Sequence, residues 1–182
     1  IFSSPFKVIF VERKNLRHIP AQCPINLPPN KTIFCGIIKL GRNINDIKIN
    51  EFERPYLIAE LSANHGGSLK RAKQSIKAAA KTGISAVKIQ SYTPDSMTIK
   101  CNKKDFFISE GLWAGSELYD LYKKAYTPYE WHAELFEYAR QEKITLISTP
   151  FDESAVDLLD GLNVPAFKVA SFEIIDIPLI KY

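Results

Sequence analysis

Ala59-Glu60-Leu61-Ser62-Ala63-Asn64-His65-Gly66-Gly67 reads as the end of an apolar strand that delivers a carboxylate and then breaks into a glycine turn. Three later stretches likewise begin as apolar strands and end in charged or polar groups: Val87-Lys88-Ile89-Gln90, Ser148-Thr149-Pro150-Phe151 and Phe167-Lys168-Val169-Ala170-Ser171-Phe172-Glu173. Burying an ammonium or carboxylate at a strand end is costly without a partner, so a chain that repeats the arrangement is building a site. In parallel α/β folds the carboxyl ends of the strands are where such sites lie.

The punctuation around these stretches supplies the elements. Strand one is read over residues 56–60, followed by the Asn64-His65-Gly66-Gly67 turn and a helix capped by Ser68 and closed by Gly83. Leu69, Ala72, Ile76, Ala79 and Ala80 recur on that helix at helical spacing. Strand two is read over 85–90, then a long connection with a short helix over 117–125 capped by Ser116. Thr127-Pro128-Tyr129-Glu130 reads as an N-cap, a proline at the first helical position and an acid, opening a helix to Gln141 with Trp131, Leu135 and Ala139 as its buried stripe. Strand three (144–149), a helix over 153–160 ended by Gly161, strand four (166–171) and a helix starting near Pro178 complete the alternation.

Alternating βα units give a parallel sheet. Four of them are half of an eight-unit TIM barrel, which typically needs about 250 residues. An incomplete barrel is therefore expected over residues 47–182, and its unpaired strand edges predict poor stability. Residues 1–46 differ in character: they hold Pro5, Pro20, Pro24, Pro28 and Pro29 of the 11 prolines and no sustained helical period. They are read as an irregular or foreign extension, with strand-like runs at 7–11 and 32–40.

Side chains alternate along a strand, so Lys88 and Gln90 share one face while Val87 and Ile89 share the other. The same parity sets Lys168 apart from Phe167 and Val169, and puts Ile58 with Glu60. Two lysines and a carboxylate then converge inside the barrel, with Thr149 and Ser171 as hydroxyl donors. Such a cluster favours an anionic substrate, a phosphate or a carboxylate. The plainer alternative is an internal Lys-Glu ion pair in a filled barrel. Glu173 reads either as an acid or base or as a helix-start carboxylate. His65 reads as a turn or substrate hydrogen-bonding group, His132 as a packing or capping residue, and Tyr92, Trp113 and Tyr119 as either sugar-pocket walls or core.

The composition, 46% apolar and 24% charged, is that of a globular protein, and no apolar run is long enough to span a membrane. The first residues carry no secretory signal, so a cytoplasmic location is expected. Cys23, Cys35 and Cys101 are too widely spaced for a zinc or disulfide framework and are read as reduced. The net charge of +4 comes from residues 1–50, where eight Lys or Arg face two acids; from residue 51 sixteen face eighteen, and no basic stripe points to nucleic acid.

With these residues in place, the chain from about Ile47 to Tyr182 resembles the sialic acid synthase family. The matching phrases are Leu57-Ile58-Ala59-Glu60-Leu61-Ser62-Ala63-Asn64-His65, Lys88-Ile89-Gln90-Ser91-Tyr92-Thr93-Pro94-Asp95-Ser96, Gly111-Leu112-Trp113, Thr127-Pro128-Tyr129-Glu130-Trp131-His132 and Lys168-Val169-Ala170-Ser171-Phe172-Glu173. The Gly-Leu-Trp and Thr-Pro-Tyr-Glu-Trp-His phrases are more similar to the pseudaminic branch than to the N-acetylneuraminate branch. The resemblance implies an aldolase-type barrel that condenses phosphoenolpyruvate with an N-acetylated amino sugar, giving a nonulosonic acid and phosphate. For this branch the sugar is 2,4-diacetamido-2,4,6-trideoxy-L-altrose.

Carried over by motif, Lys88, Thr149, Lys168 and Ser171 hold phosphoenolpyruvate, Gln90 and Asn64 line the substrate pocket, Glu60 contacts the sugar and assists proton transfer, and Glu173 is an acid or base near the attacking water. The family also implies a divalent metal, Mn²⁺ or Mg²⁺, held by histidines of later strands, and a homodimer in which a C-terminal domain reaches the partner's site. Neither the histidine strands nor that domain is in this sequence, so the chain by itself is expected to be inactive. Three other readings stay open: a neuraminate synthase using N-acetylmannosamine, an aldolase or lyase in which Lys88 or Lys168 forms an imine, and a binding remnant without catalysis.

Overall fold

In the computed structural model, residues 43–49 and 55–182 are described in full, and the backbone alone for Lys7–Ile9, Thr32–Phe34 and Arg42. The frame is four parallel strands: β5 (Ile58–Glu60), β6 (Ala86–Ser91), β7 (Thr145–Pro150) and β8 (Ala166–Lys168). Helices α1 (Leu69–Ala80), α4 (Tyr129–Gln141) and α5 (Glu153–Gly161) connect them, and α6 (Ile177–Lys181) follows β8. Two short helices, α2 (Pro94–Met97) and α3 (Leu118–Ala125), lie in the long connection after β6. This is the first half of a (β/α)₈ barrel. No helix among the described residues is long and apolar enough to cross a membrane.

The sheet has two apolar faces, and strand parity assigns them. Ala59, Val87, Ile89 and Leu146 face outward and pack with Ala72, Ile76 and Ala79 of α1 and Leu135, Phe136 and Ala139 of α4. Ile58, Ala86, Ile147 and Ala166 face inward and form a separate cluster with Tyr56, Ile44 and Ile49. The last two belong to a hairpin, β3 (Arg42–Ile44) and β4 (Ile47–Ile49), turned at Asn45, whose φ is +50°. Asn45 Nδ2 donates to Thr145 Oγ1 at 2.9 Å, which ties the hairpin to the amino end of β7. The hairpin thus lies under the inner face, at the end of the sheet opposite the site.

The first and last strands of the four βα units, β5 and β8, are not the sheet edges, contrary to the expectation from those units alone; two short strands take that place. β1 (Lys7–Ile9) pairs antiparallel with β5, and β2 (Thr32–Phe34) pairs parallel with β8, giving the order β1-β5-β6-β7-β8-β2. Three-residue strands cover the backbone donors and acceptors that an edge would otherwise present.

The helix starts correct several sequence expectations. Ser68 does cap α1, its Oγ accepting from Arg71 N at 3.3 Å. Ser116 does not cap α3: Glu117 holds the N-cap position and no side chain bonds there. Thr127 does not cap α4 either. Pro128 is at the cap, and the Thr127 hydroxyl bonds instead with His65 Nε2 at 3.3 Å. Helix α5 is capped by Asp152, whose Oδ1 accepts from Ala155 N at 2.7 Å. Strand β8 ends at Lys168, so Ser171 lies in the turn beyond it. Cys101 is a free, half-buried thiol, while Cys23 and Cys35 lie outside the described residues.

Candidate active site

The site forms where β5, β6 and β7 end. Glu60 is opposite Lys88 in the β5–β6 register, and Gln90 is opposite Thr149 in the β6–β7 register. All four share the inward parity of Ile58, Ala86 and Ile147. Lys88 is 4% exposed; its Nζ lies 2.6 Å from Glu60 Oε2 and donates to Thr149 Oγ1 at 3.3 Å. Burial pushes the Lys88 ammonium below the usual lysine range, the Glu60 carboxylate pulls it back up, and the nearby Lys168 charge pushes it down again. Lys168 has the inward parity of Ala166 and is half-buried. Two cations and one anion therefore sit together over an apolar floor.

Glu60 is fixed from a second side. Its Oε1 accepts from Ser62 Oγ at 2.8 Å and from Ser62 N at 3.2 Å. Sequence reading missed Ser62, although its place just past a strand-end carboxylate and ahead of a glycine turn was a signal. Gly66 and Gly67 in that turn have φ of +53° and +71°, backbone that glycine adopts without penalty.

His65 is fully buried in the turn: Nδ1 accepts from Gly67 N at 3.1 Å, Nε2 meets Thr127 Oγ1, and the ring packs edge-on against Trp131. It joins the β5–α1 turn to the start of α4. His132 is equally buried. Its Nδ1 bonds to Pro128 O at 3.0 Å and its Nε2 to Ser91 Oγ at 2.7 Å; Ser91 Oγ lies 2.6 Å from Ser148 Oγ. A carbonyl can only accept, so the proton is on Nδ1 and the neutral ring accepts from Ser91. This buried chain fixes α4 to the outer face of β6 and β7, behind Gln90 and Thr149.

The remaining predicted groups are looser. Among the described residues no hydrogen bond or ion pair joins Asn64, Ser171 or Glu173 to the Lys88 cluster. Asn64 is exposed in the turn after β5, and Ser171 is exposed beyond β8. Glu173 is half-buried at the start of a 3₁₀ turn, with Oε2 buried and unpartnered. Tyr92 packs edge-on against Tyr122 and Phe151, and burial pushes its hydroxyl up to about 12, so it is core. Tyr119 donates to Asp95 Oδ1 at 3.2 Å. Trp113 is exposed in the long connection, in the turn beside Leu112. The described residues contain no group of three or more His, Cys, Asp or Glu that could hold a metal.

The arrangement offers two ammonium groups and the Thr149 hydroxyl at the carboxyl ends of the strands, a donor set suited to an anion, with a carboxylate next to them. Similarity to known proteins follows the same lines. The NeuB family model matches residues 75–182. The pseudaminic acid synthase of Campylobacter jejuni is 52% identical over 124 residues, covering 68% of this chain and 36% of that protein. The pseudaminic acid synthase of Helicobacter pylori is 49% identical over 127 residues, 70% of this chain and 37% of that protein. Among solved structures, the N-acetylneuraminic acid synthetase of Leptospira borgpetersenii, crystallised with citrate, superposes with a TM-score of 0.63 at 29% identity, covering 79% of this chain and 44% of that one. The chain spans little more than a third of the length of the curated relatives it matches.

Proposed function

The chain belongs to the NeuB family, and on that premise we propose that it carries the phosphoenolpyruvate-binding half of a pseudaminic acid synthase. The observation that supports the reading is the buried Lys88, held between Glu60 and Thr149 with Lys168 nearby, on the inward face at the carboxyl ends of the strands. The 52% identity to the Campylobacter enzyme supports the choice of branch.

In this reading Lys88, Lys168, Thr149 and Ser171 hold the phosphate and carboxylate of phosphoenolpyruvate. Gln90 and Asn64 line the pocket, and Glu60 contacts the amino sugar, 2,4-diacetamido-2,4,6-trideoxy-L-altrose. C3 of phosphoenolpyruvate attacks the open-chain aldehyde carbon: the C2–C3 π pair forms the new C–C bond, and the aldehyde C=O π pair moves to oxygen, which takes a proton and becomes a hydroxyl. Water adds at C2, with Glu173 as its acid or base, and the C2–O bond breaks to release inorganic phosphate. The enol phosphate carbon C2 thereby becomes the keto carbon of the nonulosonic acid.

A divalent metal, a homodimeric assembly and a cytoplasmic setting belong to the same proposal, the metal ligands coming from outside these residues. So does the division of the chain, with residues 47–182 carrying every group named here. We propose that the 182-residue chain binds phosphoenolpyruvate without turning it over.

The test has two arms. Calorimetry on this chain should detect phosphoenolpyruvate binding that Lys88→Ala abolishes. Phosphate release by the protein carrying the chain, given phosphoenolpyruvate, Mn²⁺ and either the altrose sugar or N-acetylmannosamine, reads the branch. Release with the altrose sugar alone supports the proposal. Release with N-acetylmannosamine moves it to the neuraminate branch, whose Leptospira member shares the fold. Release with neither sugar overturns it.

A further inference from the structure

Four described non-glycine residues have left-handed backbone: Asn45, Ser62, Lys143 and Asn163. Asn45 is in the hairpin turn, while Lys143 and Asn163 are in the links that lead into β7 and β8. Ser62, with φ of +44°, is the one at the carboxyl end of the sheet. Left-handed backbone is uncommon outside glycine, and serine is not among the residues enriched there. Glycine would fit this position without penalty. A serine is kept at a cost, and its contacts show what the cost secures.

The chain alternates abruptly at this point. Glu60 points inward, Leu61 is fully buried in the outer core, and Leu61 N donates to Lys88 O at 2.9 Å, extending the β5–β6 ladder by one bond. The left-handed turn at Ser62 then brings its N–H and its hydroxyl back onto the same atom, Glu60 Oε1. Two donors on one oxygen leave the other, Oε2, for Lys88. A glycine at position 62 would keep the backbone donor and lose the shorter of the two bonds.

We propose that Ser62 is a positioning residue that locks the Glu60 carboxylate against Lys88, so that one oxygen is committed to the turn and the other faces the anion site. The importance of that orientation for the sugar rests on the function proposed above. The orientation itself does not.

The test reads Lys88 directly, in the 182-residue chain and with no substrate present. Charged neighbours acting on Lys88 are Glu60, which holds its ammonium up, and Lys168, which pushes it down. The Lys88 ε-methylene resonances, assigned by loss in Lys88→Arg, are titrated by NMR in four proteins: wild type, Glu60→Gln, Ser62→Gly and Ser62→Asn. Glu60→Gln sets the full downward shift of the midpoint. Ser62→Gly, whose backbone suits the left-handed turn, should show at least half of it. Ser62→Asn, which tolerates the same backbone and carries an amide donor, should restore most of the wild-type value. A wild-type midpoint in Ser62→Gly overturns the proposal, and so does a wild-type midpoint in Glu60→Gln. Turnover by the protein carrying the chain is a separate readout: if no variant or wild type releases phosphate, the function fails and the Ser62 assignment stands on the titration.

Discussion

Lys88 Nζ and Glu60 Oε2 are 2.6 Å apart, with the two side chains 5% and 12% exposed, so each is the other's principal compensation for leaving water. Removing one charge leaves the second buried without its partner, which typically costs about 3–5 kcal/mol, whereas removing both with apolar residues of similar volume is often neutral. Lys88→Met should therefore destabilise the chain by about 3 kcal/mol, and the double variant Lys88→Met, Glu60→Met by about 1 kcal/mol or less. Urea denaturation of the three proteins measures both. A double variant as unstable as the single one would show that the pair contributes through packing.

Stability should fall as pH drops below about 6.5, the ordinary imidazole value. Burial holds both His65 and His132 below that value. The Arg71 charge adds to the effect at His65, while bonds to the backbone of Pro128 and Tyr129 and the charge of Glu130 oppose it at His132. The unfolded chain then binds more protons than the folded one just below 6.5, so stability rises with pH through this window and is lost on acidification. Urea midpoints at pH 7.5 and pH 5.5, with His132→Asn as comparison, should show a smaller pH dependence in the variant.

Ser91→Ala should be more damaging than the loss of one hydroxyl on a surface. It removes the donor to His132 Nε2 and the neighbour of Ser148 Oγ, both fully buried. An unsatisfied buried polar atom costs about 1–3 kcal/mol. Thermal unfolding should report a loss in that range, and Ser91→Thr should cost less if the pocket admits the methyl.

Asp152→Ala should cost about 1 kcal/mol through loss of the α5 cap, and Asp152→Asn should recover most of it. Equal destabilisation by both variants would mean that the carboxylate acts by its charge at the helix start and not as an acceptor for Ala155 N.

The inward set was legible because strand parity is rigid: once residues 86–91 are read as a strand, Lys88 and Gln90 must face one way and Val87 and Ile89 the other. Helix α1 was legible for a similar reason, its cap and apolar spacing being local. What escaped were features decided by distant partners. Thr127 has the sequence look of a cap, yet its hydroxyl is taken by His65 from a turn more than sixty residues earlier. Residues 42–49 carry no helical or strand period long enough to mark a hairpin, and only Ile44 and Ile49 packed beneath the sheet reveal its place. At Ser62 the position was suggestive, but no propensity argument assigns a serine to left-handed backbone, so its bonds to Glu60 were not legible.

The floor beneath the two lysines has an electrostatic effect on approach. Ile58, Ala86, Ile147 and Ala166, sealed from below by Ile44 and Ile49, form a region into which water does not reach. Charge above such a floor is poorly screened from that side, so its field is directed toward the opposite, carboxyl end of the strands. Under the function proposed above, the hairpin, which touches none of the groups named there, would act as the back of a lens and help set the direction from which phosphoenolpyruvate is drawn in.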